Sequence, residues 1–354
     1  MSAASPRPEP FRIEPIFSPR IWGSRSLAPL FPEKANLAEP LGEAWLSGVD
    51  CKIATGPFAG NTLGAAWRKM LPEWRGSDLK SAKEFPLLVK FIFPRDKLSI
   101  QVHPDDSYAA IHEKAAGGRG KTEMWHIVSA EPGAQLLAGL KPGVTKEKFL
   151  EGLAAHTLEA LLQAHPAHAG DTFFIPAGTP HTIGANMVVF EVQEYSDLTY
   201  RIYDYGRVDV HGKERELHIE KALQVIKFGF SLGGKASPLA IGDSHHPAKL
   251  LCACPYFAVE RFDFSERHEF PADSTHFQLL VILTGRGNLG WPDGAARYQP
   301  GECWLVPASL DLAALHPLQP SSVLRAYVPD IATLSDRLHG SGMPAHAIAQ
   351  SVFA

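Results

Sequence analysis

Ser99, Gln101 and His103 alternate with Leu98, Ile100 and Val102 in KLSIQVHPDD. In an extended chain that period of two gives one apolar face and one chemical face. An amide two residues before an imidazole suits adjacent coordination of one cation. Lys121, Glu123 and Trp125 form a second alternating set in GKTEMWHIV, and His181 follows a proline-stiffened turn in IPAGTPH. Gln101, His103, Glu123 and His181 together offer two imidazoles, one carboxylate and one amide oxygen. Such a set suits Zn2+, and equally Mn2+, Fe2+, Co2+ or Ni2+, because nitrogen and oxygen donors without a thiolate do not choose among them. Two His and one carboxylate are also the facial triad of non-haem Fe(II) oxygenases, so a redox reading stands beside a Lewis-acid one.

Other residues suit an anion. Lys90 interrupts the apolar run LLVKFIF, and a buried, unpaired ammonium is costly, so this side chain either faces solvent or meets a negative charge. In TYRIYDYGR the odd positions Arg201, Tyr203, Tyr205 and Arg207 share one face of an extended strand. Their guanidinium forks match phosphate oxygens, while the same spacing fits a solvated edge. With Ser99 and Lys90 they make a candidate phosphate anchor. Gly285, Gly287 and Gly290 satisfy the dinucleotide fingerprint, but WPDG follows in place of a helix, so the segment reads as a turn between strands. His126, His211, His218, His245, His246 and several further histidines show no consistent ligand pattern and read as surface, capping or core residues.

The elements that must position these groups are mainly strands. PLLVKFIF, KLSIQVH, EMWHIV, DTFFIPA and MVVFEVQEY are short, β-rich and punctuated by Gly and Pro, the spacing of an antiparallel sandwich or barrel. Helical periodicity predicts a helix over 145–165, capped by Thr145, and another over 216–228. Residues 231–247 lose periodicity and gather Gly, Ser, Pro and Asp, which places a domain boundary there. Beyond it, YFAVERFDF, HFQLLVILTG and ECWLVPA again read as strands. Gly170-DTFFIP-Ala177 matches Gly301-ECWLVP-Ala308, and where the first copy reaches His181 the second reaches Leu312. One fold used twice, with the second copy stripped of a metal-binding side chain, would account for this repeat, as would chance turn chemistry at the shared Gly and Pro.

Composition narrows the classes. The chain has 354 residues, with Lys+Arg 34 against Asp+Glu 38 for a formal net charge of −4, which argues against a general nucleic-acid or acidic-membrane binder. At 45% hydrophobic and 20% charged residues it can bury a sizeable core. Cys51, Cys252, Cys254 and Cys303 match neither a secreted disulfide framework nor a paired zinc site. The N-terminal MSAASPRPEPFRIEP carries charge and proline where a signal peptide needs an apolar stretch, and no run approaches the ~18 apolar residues of a membrane span. A soluble cytoplasmic protein is expected.

Taken in order, RIWGSRSL, LGEAWLSG, PLLVKFIFPRDKLSIQVHPDD, GKTEMWHIV, GDTFFIPAGTPHTIGAN and EVQEYSDLTYRIYDYGR resemble the successive signatures of type I phosphomannose isomerases, members of the cupin superfamily, in their short bacterial form. One departure is visible: the general cupin pattern places Asn four residues after the second-motif His, and here that position is Ala185, with Asn186 following. The resemblance implies a mainly β protein with two cupin-type (jelly-roll) β-barrel modules and flanking helices. It divides the chain into a metal-binding catalytic module over 1–235 and a degenerate C-terminal one over 236–354. It implies that Gln101, His103, Glu123 and His181 bind one Zn2+ per chain. It further implies that Trp22, Glu43, Lys90, Ser99 and Arg207 contact a hexose 6-phosphate, and that Lys121, Glu191, Asp197 and Arg201 serve the proton transfer between C1 and C2 that interconverts mannose 6-phosphate and fructose 6-phosphate. The alternatives are a non-haem Fe(II) cupin oxygenase and a non-catalytic sugar-phosphate-binding cupin. No nucleic-acid or membrane partner is implied, and the oligomeric state is left open.

Overall fold

The computed structural model describes residues 7–208, 212–242, 247–271 and 273–354. His211, His245 and His246 lie outside the described residues. Two pairs of antiparallel sheets dominate. In the first pair the larger sheet orders its strands Gly234–Ala236, Thr172–Ile175, Glu123–Ala130, Met187–Glu194, Leu87–Ile92, Leu41–Trp45 and Ile16–Ser24. Facing it, a smaller sheet runs Tyr200–Tyr203, Ile100–Val102, His181–Ile183, Gln135–Leu140 and Leu162–Pro166. Trp22, Ile92, Trp125, Phe173 and Val189 from the larger sheet meet Leu136, Ala138 and Ile183 from the smaller one. The second pair repeats the plan: Phe11–Ile13, Cys303–Val306, Gln278–Thr284, Ser321–Tyr327, Ala258–Phe264, Pro247–Ala253 and Leu239–Gly242 face His268–Pro271, Leu312–Pro317, Gly287–Trp291 and Gly294–Tyr298. Each pair is a jelly-roll of two facing sheets and does not close into a continuous barrel.

The two larger sheets pack back to back. Leu87, Val89, Phe91 and Val192 of the first share one core with Leu251, Val259, Leu279 and Leu305 of the second, and Trp67 packs on both Phe85 and Phe277, at ring distances of 5.2 and 5.4 Å, while those two rings also touch. This explains why LLVKFI is buried along its whole length: both faces of that strand are covered, so apolar residues do not alternate with polar ones. The short strand Phe11–Ile13 pairs with Cys303–Val306, tying the start of the chain to the second module. Among the described residues no helix is long and apolar enough to cross a membrane.

The repeat seen in the sequence falls on matching elements. Gly170 and Gly301 both adopt positive φ, 91° and 83°, two residues before the strands Thr172–Ile175 and Cys303–Val306. His181 and Leu312 each open the strand that follows.

Three expected elements differ. The helix over 145–165 is present only as Lys146–Ala154, capped by Thr145; His156 turns to φ 56°, and Leu162–Pro166 becomes an edge strand paired with Gln135–Leu140. Gly152 permits this reversal, because a Cβ there would stand 2.7 Å from Leu161 Cδ1, so the chain folds back tightly on its own helix. Tertiary pairing has overridden a helical pattern. The second helix shortens to Ile219–Val225. The segment read as a linker carries Gly234–Ala236, paired in the first module, and Leu239–Gly242, paired in the second. Strands this short carry no periodic signal.

Candidate active site

Sheet register assembles the metal-ligand set. Gln101 lies directly across from His181 on one side and Arg201 on the other, so the smaller sheet sets an amide, an imidazole and a guanidinium side by side. His103 follows at the strand end, and Glu123 reaches over from the larger sheet. Glu123 Oε1 stands 3.7 Å from His103 Nε2 and 3.3 Å from His181 Nε2, all three side chains being buried. One donor atom from each residue lies within 4.8 Å of the others. The Gln101 amide is 3.3 Å from His181 Nε2, and turning it about its last bond would present oxygen to the same point.

Both imidazoles are prepared for a cation. His103 Nδ1 is 2.7 Å from the Leu198 carbonyl and His181 Nδ1 is 2.8 Å from that of Thr179, which places the proton on Nδ1 and leaves the Nε2 lone pair facing Glu123. His103 Nε2 and Glu123 Oε1 are buried and hydrogen-bonded to nothing among the described residues. Burial, reinforced by Lys121, pushes the His103 pKa down to about 3, and burial lowers that of His181. Burial opposes ionisation of Glu123, yet the Lys121 ammonium beside it outweighs that cost and holds its pKa well below the usual range. Neutral imidazoles beside an ionised carboxylate, with orphaned atoms converging, fit a divalent cation.

A chain of alternating charge runs outward from the cluster. Lys121 Nζ is 3.0 Å from Glu123 Oε2 and 3.9 Å from Glu191 Oε1; Glu191 is 2.9 Å from Lys90, Lys90 is 3.8 Å from Glu43, and Glu43 is 2.6 Å from Arg20. Lys90 therefore meets carboxylates rather than solvent. Trp125 Nε1 donates to Glu191 at 2.8 Å and Trp45 Nε1 to Glu43 at 3.1 Å. Burial and the Glu123 charge raise the Glu191 pKa against the pull of Lys90 and Lys121.

These groups line a cavity of about 480 Å3, within the size range of small-molecule sites. Trp22, Glu43, Lys90, Ser99, Gln101, Lys121, His181, Glu191, Asp197 and Arg201 all face it. Four polar residues that the sequence did not single out for this site also line it: Arg20, Thr199, Arg215 and His218. Arg20 had a signal, since it alternates with Trp22 in RIWGSRSL. Arg215 and His218 sit in irregular chain before a helix, where no period exists.

Arg207 lies apart from the other expected site residues. The strand carrying Arg201 ends at Tyr203 after a register shift, and Tyr205 turns to φ 61°, so the shared face expected over 201–207 is broken. Arg207 instead bonds Asp204 at 2.6 Å and Asp96 at 3.3 Å, outside the cavity. Arg215 pairs with the same Asp204 while also facing the cavity.

Comparison with known proteins agrees with this geometry. The type I phosphomannose isomerase catalytic domain matches residues 11–124. A probable mannose-6-phosphate isomerase of Bacillus subtilis is 35% identical over 284 residues, covering 79% of this chain and 87% of that protein. The chain belongs to the type I phosphomannose isomerases. Among solved structures, the mannose 6-phosphate isomerase from Bacillus subtilis superposes with a TM-score of 0.81 at 27% identity, over 90% of this chain and 99% of the other. A zinc-bound mannose 6-phosphate isomerase shares the fold with a TM-score of 0.68 at 16% identity, over 90% of this chain and 99% of the other. Membership of the phosphomannose isomerases sets aside the oxygenase reading of the His–His–carboxylate triad.

Proposed function

We propose that this chain is a zinc-dependent aldose-ketose isomerase that interconverts mannose 6-phosphate and fructose 6-phosphate by moving a proton between C1 and C2. The observation that carries this reading is the buried cluster of His103, His181 and Glu123, with Gln101 across the sheet from Arg201, at the floor of a cavity ringed by cationic side chains. Gln101, His103, Glu123 and His181 would hold the zinc, which when bound supplies a Lewis acid for the sugar oxygens and for enediolate charge.

The protein's own residues supply the rest. Arg201 faces the cavity with its Nε buried and without a partner, while Nη1 donates to the Glu216 carbonyl at 2.9 Å; a sugar phosphate offers that guanidinium the anion it lacks. Arg215 and Arg20 add positive charge on the same lining, and Ser99 adds a hydroxyl. Trp22 and Trp125 give flat apolar walls on which a hexose ring can rest. Lys121, Glu191 and Asp197 are the groups that hold or move protons at C1, C2 and their oxygens, and burial with the Glu123 charge makes Glu191 a stronger proton acceptor than an ordinary carboxylate. The Lys90 and Glu43 pair fixes Glu191 from behind. Cationic groups, a hydroxyl and a deep metal cluster match a phosphate ester with a polyol chain. Metal-loaded protein given mannose 6-phosphate in deuterium oxide should form fructose 6-phosphate carrying deuterium at C1. Absence of any ketose product would refute the proposed function.

A further inference from the structure

The second module holds a cavity at the place equivalent to the active site. The repeat aligns Ile175 with Val306 and Phe173 with Trp304, and their cross-strand partners are Glu123 and Trp125 in the first module, Gln278 and Leu280 in the second. Carried one strand further, Glu191 opposite Trp125 becomes Arg325 opposite Leu280, and Lys90 opposite Glu191 becomes Glu260 opposite Arg325. The buried Lys90–Glu191 pair is thus present again as Glu260–Arg325 with its signs exchanged. The metal-ligand positions are gone: Glu123 is replaced by Gln278, His181 by Leu312, and Gln101, the partner of His181, by Pro271, the partner of Leu312. A hollow of about 440 Å3 nevertheless persists, lined by Glu260, Phe262, Phe270, Arg325 and, from the helix Ile331–Gly340, Arg337.

We propose that this cavity binds a small organic anion, a carboxylate or phosphate ester with a flat apolar body. The charge ledger points to an anion. Glu260 is answered by Arg325 and by Tyr327, whose hydroxyl donates to it at 2.9 Å, and Glu269 is answered by Arg267. Of the charged Glu and Arg side chains lining the cavity, Arg337 alone makes no ion pair among the described residues. Arg325 is still 19% exposed toward the hollow, with its guanidinium held over Phe262 and Phe270 at 5.1 and 5.9 Å. A buried ion pair is a poor source of stability, since apolar residues of like volume serve as well or better. Its position over an aromatic floor, beside space of ligand size, is the arrangement of a binding pocket.

Calorimetric titration of the full metal-loaded chain with benzoate, and separately with phenyl phosphate, tests this; the two probes distinguish a carboxylate from a phosphate preference. One site per chain should appear for at least one probe. Arg337→Gln should weaken it roughly tenfold or more, as expected for loss of a charge-assisted contact. Ala248→Trp, which fills the hollow, should abolish it, and both variants should keep wild-type isomerisation kcat and KM. Failure of both probes to bind, or binding that Arg337→Gln leaves unchanged, overturns the proposal. Arg337 is exposed on its helix, so that variant remains informative even if Ala248→Trp fails to fold.

Discussion

His103 and His181 are held by backbone carbonyls at Nδ1, so their tautomer is set by the chain and not by an acidic neighbour. Glu123 is then the only carboxylate in the cluster, and Glu123→Gln should reduce bound zinc to a trace by atomic absorption and lower kcat/KM at least about 100-fold. The two arginines read from one motif should separate. Arg201→Gln is expected to raise KM for mannose 6-phosphate roughly 10- to 100-fold through loss of charge-assisted phosphate contacts. Arg207→Gln should leave KM within about twofold and cost about 1 kcal/mol of stability, because its partners are Asp204 and Asp96. Equal KM effects would restore Arg207 to the substrate site. His126 is buried neutral between the modules, bonded to Thr172 at 3.1 Å and near Arg261 at 3.3 Å, and burial lowers its pKa from 6.5 to about 3. The unfolded chain therefore takes up a proton that the folded one refuses, so stability should fall as pH drops from 6.5 toward 3. Melting curves over that range should be flatter for His126→Gln, and an unchanged slope would remove His126 as a cause.

Strands with one polar face were legible at the level of elements because their period of two survives in the sequence. Ser99, Gln101 and His103 alternate, and so do Lys121, Glu123 and Trp125, and the structure turns both sets toward the cavity or the cluster beneath it. Legibility failed where a tertiary contact set the conformation. Nothing local in 145–165 announces that Leu162–Pro166 will pair with Gln135–Leu140, and nothing in TYRIYDYGR announces the bend at Tyr205 that carries Arg207 away. Arg215 was invisible for the complementary reason, since it comes from irregular chain. Close strand approach is also an element-scale requirement: a Cβ on Gly23 would sit 2.5 Å from the Leu41 carbonyl carbon, in the strand that carries Arg20 and Trp22. Gly23→Ala should cost about 1–3 kcal/mol by denaturant titration and raise KM by displacing those two side chains. A stable variant with wild-type KM would show that this strand tolerates the shift.

The whole molecule is two jelly-roll units fused through their larger sheets, with the metal cluster in one and the same architecture, without those ligand positions, in the other. The shared core makes them one cooperative body: Phe277 of the second module packs on Trp67 and Phe85 of the first. Phe277→Ala should cost about 3–5 kcal/mol and lower a single calorimetric transition. Two separated transitions would mean that the modules unfold independently. The account stands most directly on metal dependence of one reaction. Conversion of mannose 6-phosphate to fructose 6-phosphate should be measured with purified protein as prepared, after chelation, and after Zn2+ is restored. Activity should vanish with chelation and return with about one zinc per chain. Full activity in metal-free protein, or no activity with zinc bound, would contradict the assignment of Gln101, His103, Glu123 and His181 as the centre of catalysis.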